Sequence, residues 1–365
     1  MPKGRTLVVA EIGVNHNGLA DVAKQLIDAA ANAGADAVKF QTFNAQHLVR
    51  RDTKKAAYQE LATPSDESQY DMLHKLQLSA KTFGVLKDYC EERQLEFIST
   101  PFDEPSVDVL NDLKVDRLKV ASGDITSAPL LLKIARSRKP IILSTGMATI
   151  GEVETALSIL AFGLTESAQT TAPLQPNAME FRRHYLSESG QAAIAKFVTL
   201  LHATSEYPAP FEHVNLRAMD TLASTFSLPA GLSDHTSGIT IAIAAAARGA
   251  AVIEKHLTLN RSLPGPDHRA SLEPAEFEQM VRAVRQTESA LGSSMKQPSV
   301  DEQNNAQLVR KSVVAARFIR KGEVLGADNV TTKRPAEGIS AAYYYDVLGK
   351  TASQDFEKDE PIQWI

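Results

Sequence analysis

The feature that most constrains this chain is a repeated alternation. Short runs rich in β-branched and aliphatic residues are each followed by a stretch of helical periodicity, and the pattern recurs eight times. The strand-like runs are residues 6–12, 37–41, 96–100, 117–121, 140–145, 197–203, 229–234 and 251–256. Amphipathic stretches such as 21–33, 79–93, 152–161 and 239–248 lie between them. This alternation builds parallel βα units, and eight units in roughly 280 residues match an α/β fold of the (β/α)8 TIM-barrel type. A doubly wound open sheet is the rival, but no glycine-rich phosphate loop follows the first strand.

Two tracts break the pattern. Residues 163–191 are too long and polar for an ordinary connection and read as an excursion at the barrel's edge. Residues 292–307 lose periodicity and read as a linker. The expected organisation is a catalytic barrel at 1–291, the linker, and a small β-rich domain at 308–365 that opens with a strand at 312–317 and a turn at 319–323.

Composition narrows the function classes. No run of about 18 apolar residues is present, so no membrane helix is expected. The net charge of -5 comes without a basic cluster, which argues against a nucleic-acid partner. One cysteine, Cys90, and a start that enters a strand at once without a signal-peptide pattern lead to an expected cytoplasmic location.

The polar residues fall where the strands end. The first run closes on Glu11, the second on Lys39 and Gln41, and the third on Thr100. Lys119 precedes Ser122 and Asp124, and Ser144 ends the fifth run. The sixth ends in His202 and Ser205, the seventh in Ser233 and His235, and the eighth in Glu254 and His256. A barrel interior is normally filled by Val, Ile and Leu, and unpaired charge there costs several kcal/mol. Polar groups at every C-terminal strand end therefore mark a site.

His235 and His256 on adjacent strands, with Glu11 on the strand that closes the barrel, suit a divalent metal, although each histidine alone fits a hydrogen-bonded strand end. Lys39 and Lys119 with nearby hydroxyls suit an anion such as phosphate or carboxylate. Lys119 also suits a Schiff-base nucleophile, the chemistry of a lyase. The turn PGPDH presents Asp267 over the barrel mouth.

The segments AEIGVNHNG, DAVKFQTF, ISTPFDE, ILSTGMATIGE, LSDHTSG and VIEKHLTLNRSLPGPDH together resemble the sialic acid synthase family. The tail RKSVVAARFIRKGEVLGADNVTTKRPAEGIS resembles the antifreeze-like SAF domain that follows the barrel in that family. The resemblance implies a metal-dependent condensation of phosphoenolpyruvate with an N-acetylated mannosamine-type sugar, giving N-acetylneuraminate and phosphate with C–O cleavage. N,N'-diacetyllegionaminate, from 2,4-diacetamido-2,4,6-trideoxymannose, is the alternative product. Carried over residue by residue, His235 and His256 would hold Mn2+, with Mg2+ or Co2+ as substitutes, and Glu11 would serve catalysis. Lys39, Thr100, Lys119, Ser122, Ser144, Ser205 and Ser233 would hold phosphoenolpyruvate. Gln41, Asp124, Tyr207 and Asp267 would contact the sugar, Asp124 standing where the family usually has Glu. Arg334 would reach the partner's sugar in a domain-swapped homodimer.

Overall fold

The computed structural model describes residues 5–60, 67–166 and 175–363. The chain forms two compact units, Met1–Gly292 and Ser293–Ile365. In the first, eight strands hydrogen-bond in chain order and the last pairs with the first, closing the expected barrel. They are β1 (Leu7–Gly13), β2 (Ala37–Thr42), β3 (Glu96–Pro101), β4 (Leu118–Val120), β5 (Ile141–Ser144), β6 (Val198–Ala203), β7 (Ala230–Asp234) and β8 (Val252–His256).

Side chains alternate across each strand with a period of two. One face, including Val8, Ala10, Ile12, Val38, Phe40 and Ile253, packs outward against the helices in the main core. Each such buried side chain contributes roughly 1.5–3 kcal/mol, so this outer layer holds the barrel together. The other face points inward. Leu7, Val9, Ala37, Ile98, Ile142, Leu201 and Val252 form a separate apolar plug inside the barrel. Two residues further along their strands stand Glu11, Lys39, Thr100, Ser144 and Glu254. The same alternation that fills the floor thus lifts charged and hydroxyl groups to the mouth.

Helix starts are fixed by local capping. Ser79 accepts from the Thr82 amide and Asp103 from the Ser106 amide, and Thr149 forms a capping box with Glu152. At the barrel mouth the outward-facing neighbours of the two strand-end histidines cross-link β7 to β8. Lys255 Nζ donates to Asp234 Oδ2 at 2.8 Å and to the Thr236 carbonyl at 2.5 Å, and Lys255 and Asp234 are both buried.

The tract read as an excursion contains regular structure. The preceding helix extends over Ile150–Thr165, and helices Ala178–Tyr185 and Glu188–Phe197 follow. Phe181 and His184 meet Phe162 edge-on with ring centroids 5.3 and 4.8 Å apart. Residues 167–174 of this tract lie outside the described residues.

In the second unit β9 (Ser312–Ala315) and β10 (Val330–Lys333) pair antiparallel around a core that includes Val313, Ile319, Leu325, Ile339 and Phe356. The tract read as an aperiodic linker carries a helix, Val300–Val309, begun by a Ser299–Glu302 capping box. It has no buried residues, so no apolar stripe announced it.

Candidate active site

The inward-facing residues at the strand ends line one cavity of about 700 Å³. Its floor is a charge cluster. Lys39 Nζ lies 2.5 Å from Glu11 Oε2 and 3.9 Å from Glu254 Oε2, and Lys119 Nζ lies 3.8 Å from Glu254 Oε1. Ser233 Oγ donates to Glu254 Oε1 at 2.8 Å, Gln41 Nε2 donates to Glu11 Oε1 at 2.9 Å, and Lys39 Nζ reaches Thr100 Oγ1 at 3.3 Å. All four charged groups are buried, and such groups persist inside a barrel only when paired.

Burial and partners set their protonation. Burial raises the Glu11 carboxyl above its ordinary value even with Lys39 beside it. Glu254 is driven the other way. Burial opposes its charge, but the ammonium groups of Lys119 and Lys39 outweigh it and hold the carboxylate ionised. Burial lowers the Lys119 ammonium to about 8, while Lys39 stays above its ordinary value because the pull of Glu11 and Glu254 exceeds the burial penalty.

Gly13 makes this arrangement possible. The β1–β2 register shifts between Glu11 and Gly13, Gly13 has φ +26°, and a Cβ there would lie 2.2 Å from Glu11 Oε1. Hydroxyls complete the cradle. Ser122 Oγ donates to Ser144 Oγ at 3.0 Å and accepts from the Gly146 amide at 3.0 Å. Ser205 and Asp124 line the same cavity, and burial raises the Asp124 carboxyl to about 6. Two lysines and several hydroxyls in one pocket suit a phosphate or carboxylate group.

His235 and His256 stand at the β7 and β8 ends with ring centroids 5.5 Å apart, and Tyr207 packs on His235 at 4.2 Å. Burial lowers the pKa of both, so both imidazoles are neutral. His235 Nδ1 sits 2.6 Å from the Thr204 carbonyl, which can only accept. The proton is therefore on Nδ1, the backbone anchoring common to metal-binding histidines, and Nε2 carries the lone pair, 3.3 Å from a Ser233 hydroxyl whose own proton goes to Glu254. Asp267 Oδ2 lies 3.7 Å from His256 Nδ1. Two neutral imidazoles oriented this way fit a divalent transition metal whose remaining ligands come from substrate or water.

Glu11 corrects one expectation. It is the register partner of His256, yet its carboxylate turns toward Lys39 and Gln41 on β2 and does not join the histidines. Among the described residues no three His, Cys, Asp or Glu side chains form a metal-holding group. His202 also lies apart, its Nε2 against the Val214 carbonyl at 2.5 Å. Arg334 belongs to the second unit, where it is exposed just after β10. Glu254, which contacts both lysines, received no role from sequence. Its signal was the two-residue spacing to His256, which puts both on the inner face.

The NeuB family profile matches residues 26–296 and the SAF domain profile matches residues 310–364. The chain belongs to the NeuB family. The N,N'-diacetyllegionaminic acid synthase of Campylobacter jejuni is 46% identical over 98% of this chain and 99% of its own length. The N,N'-diacetyllegionaminic acid synthase of Legionella pneumophila is 40% identical over 100% of this chain and 96% of its own. The crystal structure of N-acetylneuraminic acid synthetase from Leptospira borgpetersenii, in complex with citrate, matches with a TM-score of 0.65 and 32% identity, covering 82% of this chain and 90% of that one. As a NeuB-family member the chain is an enzyme of the transferase class, a synthase of sialic-type acids. That membership displaces the Schiff-base lyase as the reading of Lys119. Among the described residues no helix is long and apolar enough to cross a membrane.

Proposed function

We propose that this chain condenses phosphoenolpyruvate with 2,4-diacetamido-2,4,6-trideoxymannose, giving N,N'-diacetyllegionaminate and phosphate. The observation that carries the reading is the juxtaposition, in one cavity, of a lysine–hydroxyl anion cradle and two neutral imidazoles. The relatives at 46% and 40% identity support this acceptor over the N-acetylmannosamine first expected from the sequence.

Lys39, Lys119 and the hydroxyls of Thr100, Ser122, Ser144, Ser205 and Ser233 hold the phosphate and carboxylate of phosphoenolpyruvate. Gln41, Asp124, Tyr207 and Asp267 orient the open-chain sugar. When bound at His235 and His256, a divalent ion, Mn2+ in this proposal with Mg2+ or Co2+ as substitutes, supplies Lewis acidity for a carbonyl oxygen. The methylene carbon of phosphoenolpyruvate attacks the aldehyde carbon, a C–C bond forms as the aldehyde π bond opens, and the new alkoxide takes the proton that Glu11 receives from water in the next step. Water adds at the adjacent cationic carbon and loses its proton to Glu11. The tetrahedral intermediate then passes its hydroxyl proton to the departing phosphate as the C–O bond breaks and the ketone forms. Holding both substrates side by side removes much of the entropic barrier.

The test is phosphate release from phosphoenolpyruvate with each sugar, with and without chelator, and product mass by mass spectrometry. Chelator-sensitive release driven by the diacetamido sugar supports the proposal; release with N-acetylmannosamine alone returns the product to N-acetylneuraminate. The homodimer in which Arg334 serves the partner's sugar belongs to the same proposal. An Arg334→Ala variant with unchanged sugar KM would remove it.

A further inference from the structure

The cavity has two unlike faces. The catalytic groups described above occupy its floor and its β7–β8 side. From β1 to β3 the mouth is instead lined by apolar side chains: Val14 after β1, Leu48 and Val49 after β2, Leu73 from helix Gln69–Leu76, and Phe102 after β3. Val14, Phe43, Met72 and Leu76 are buried in a hydrophobic cluster of their own, separate from the main core, and Phe43, Met72 and Leu76 line the cavity as well. The wall therefore has a packed core of its own, while Leu48, Leu73 and Phe102 pack against it and keep part of their surface accessible. Polar groups on this side include the amides of Gln59 and Gln69, 3.4 Å apart. No step of the reaction uses this wall.

Barrel order gives the wall its partner. β3 and β7 are four strands apart in a ring of eight, so the Phe102 end of the wall lies across the mouth from His235, while its Val14 end follows β1, the neighbour of the His256 strand. A sugar whose aldehyde lies at the histidines sends its distal carbons toward Leu48, Leu73 and Phe102. We propose that this wall selects the acceptor by receiving the C6 methyl and the C4 acetamido group of a deoxygenated diacetamido sugar. The inference rests on the function proposed above. A C6 methyl buries apolar surface there and the C4 acetamido group has the amides of Gln59 and Gln69 on the same side, whereas the C6 hydroxymethyl of N-acetylmannosamine loses water against the apolar side chains. An apolar pocket rejects an added hydroxyl by at most about 100-fold, so the preference is expected at roughly 10- to 100-fold in kcat/KM.

Leu48→Asn and Leu73→Asn keep the branched shape of the side chain and replace its two methyls by an amide. Both sugars are assayed with wild type and each variant, and the sugar protons nearest the protein are read by saturation-transfer NMR. We expect the kcat/KM ratio between the two sugars to fall roughly tenfold, through the KM of the diacetamido sugar, with the phosphoenolpyruvate KM unchanged. In wild type the C6 methyl protons should saturate more strongly than the ring protons. An unchanged ratio in a folded variant, a parallel loss for both sugars, or a C6 methyl that stays unsaturated overturns this inference alone. The NMR measurement needs no variant, so a misfolded substitution does not shield the idea. A wild type that neither binds nor turns over either sugar overturns the proposed function, and this inference with it.

Discussion

The Lys39 ammonium and the Glu11 carboxylate meet at 2.5 Å across β2 and β1, both buried beneath the cavity. Glu11→Ala would leave Lys39 with Glu254 at 3.9 Å as its remaining charge partner. Removing one member of a buried pair typically costs about 3–5 kcal/mol, because the other charge stays desolvated. Urea denaturation of Glu11→Ala should show a loss of that size. The double variant Glu11→Gln with Lys39→Met should recover part of it while remaining inactive. A Glu11→Ala protein as stable as wild type would mean that the pair is not formed.

Metal affinity is expected to depend on each imidazole separately. His256→Ala should weaken Mn2+ binding to the metal-free protein, measured by the paramagnetic resonance signal of free Mn2+, by tenfold or more. Thr204 anchors His235 through its backbone carbonyl, so Thr204→Ala should leave that affinity intact. Equal Mn2+ binding by His256→Ala and wild type would place the metal elsewhere.

Gly146 makes a prediction that separates the two substrates. A Cβ there would lie 2.6 Å from Ser205 Oγ and 2.7 Å from Ser122 Oγ. Gly146→Ala must displace these hydroxyls, which belong to the proposed phosphate cradle. The KM for phosphoenolpyruvate should rise at least tenfold and the sugar KM should change little. The opposite split would move the phosphate away from Ser122 and Ser205.

Acid should weaken the fold partly through His268. It is fully buried, its Nδ1 lies 2.7 Å from Thr258 Oγ1, and burial lowers it to about 4. A histidine lowered on folding binds its proton more readily in the unfolded chain. Its contribution is present above pH 6.5 and is lost as the pH falls from 6.5 toward 4. Between pH 7 and pH 5 that amounts to about 2 kcal/mol. His268→Gln should flatten the stability profile by about that much over this window. His16, likewise lowered to about 4 by burial, keeps its own share of the slope.

What the sequence made legible follows from local periodicity. The period of two in Leu7-Val9-Glu11 and Val252-Glu254-His256 carries both the barrel floor and the site above it, so fold and cavity were readable together. Three features lacked such a signal. Helix Val300–Val309 has no buried residues, and only its Ser299–Glu302 capping box marked it. The turn of Glu11 away from His256 depends on a bulge at Gly13 that no spacing reveals. The apolar wall joins Val14, Leu48, Leu73 and Phe102, which are far apart in sequence and become neighbours only when the barrel closes.

The Lys255–Asp234 cross-link has a consequence for how this enzyme can change over generations. It ties the ends of β7 and β8 together from behind, so the distance between the two imidazoles is set by the scaffold and not by whatever lies in the cavity. The β1–β3 rim is built from side chains on connecting segments and a short helix, whose replacement leaves that cross-link untouched. One half of the mouth is thus a fixed anvil and the other an exchangeable tool. On the proposal above, a lineage on this scaffold trades one sugar for another by rewriting Leu48, Leu73 and Phe102 while inheriting its chemistry unaltered.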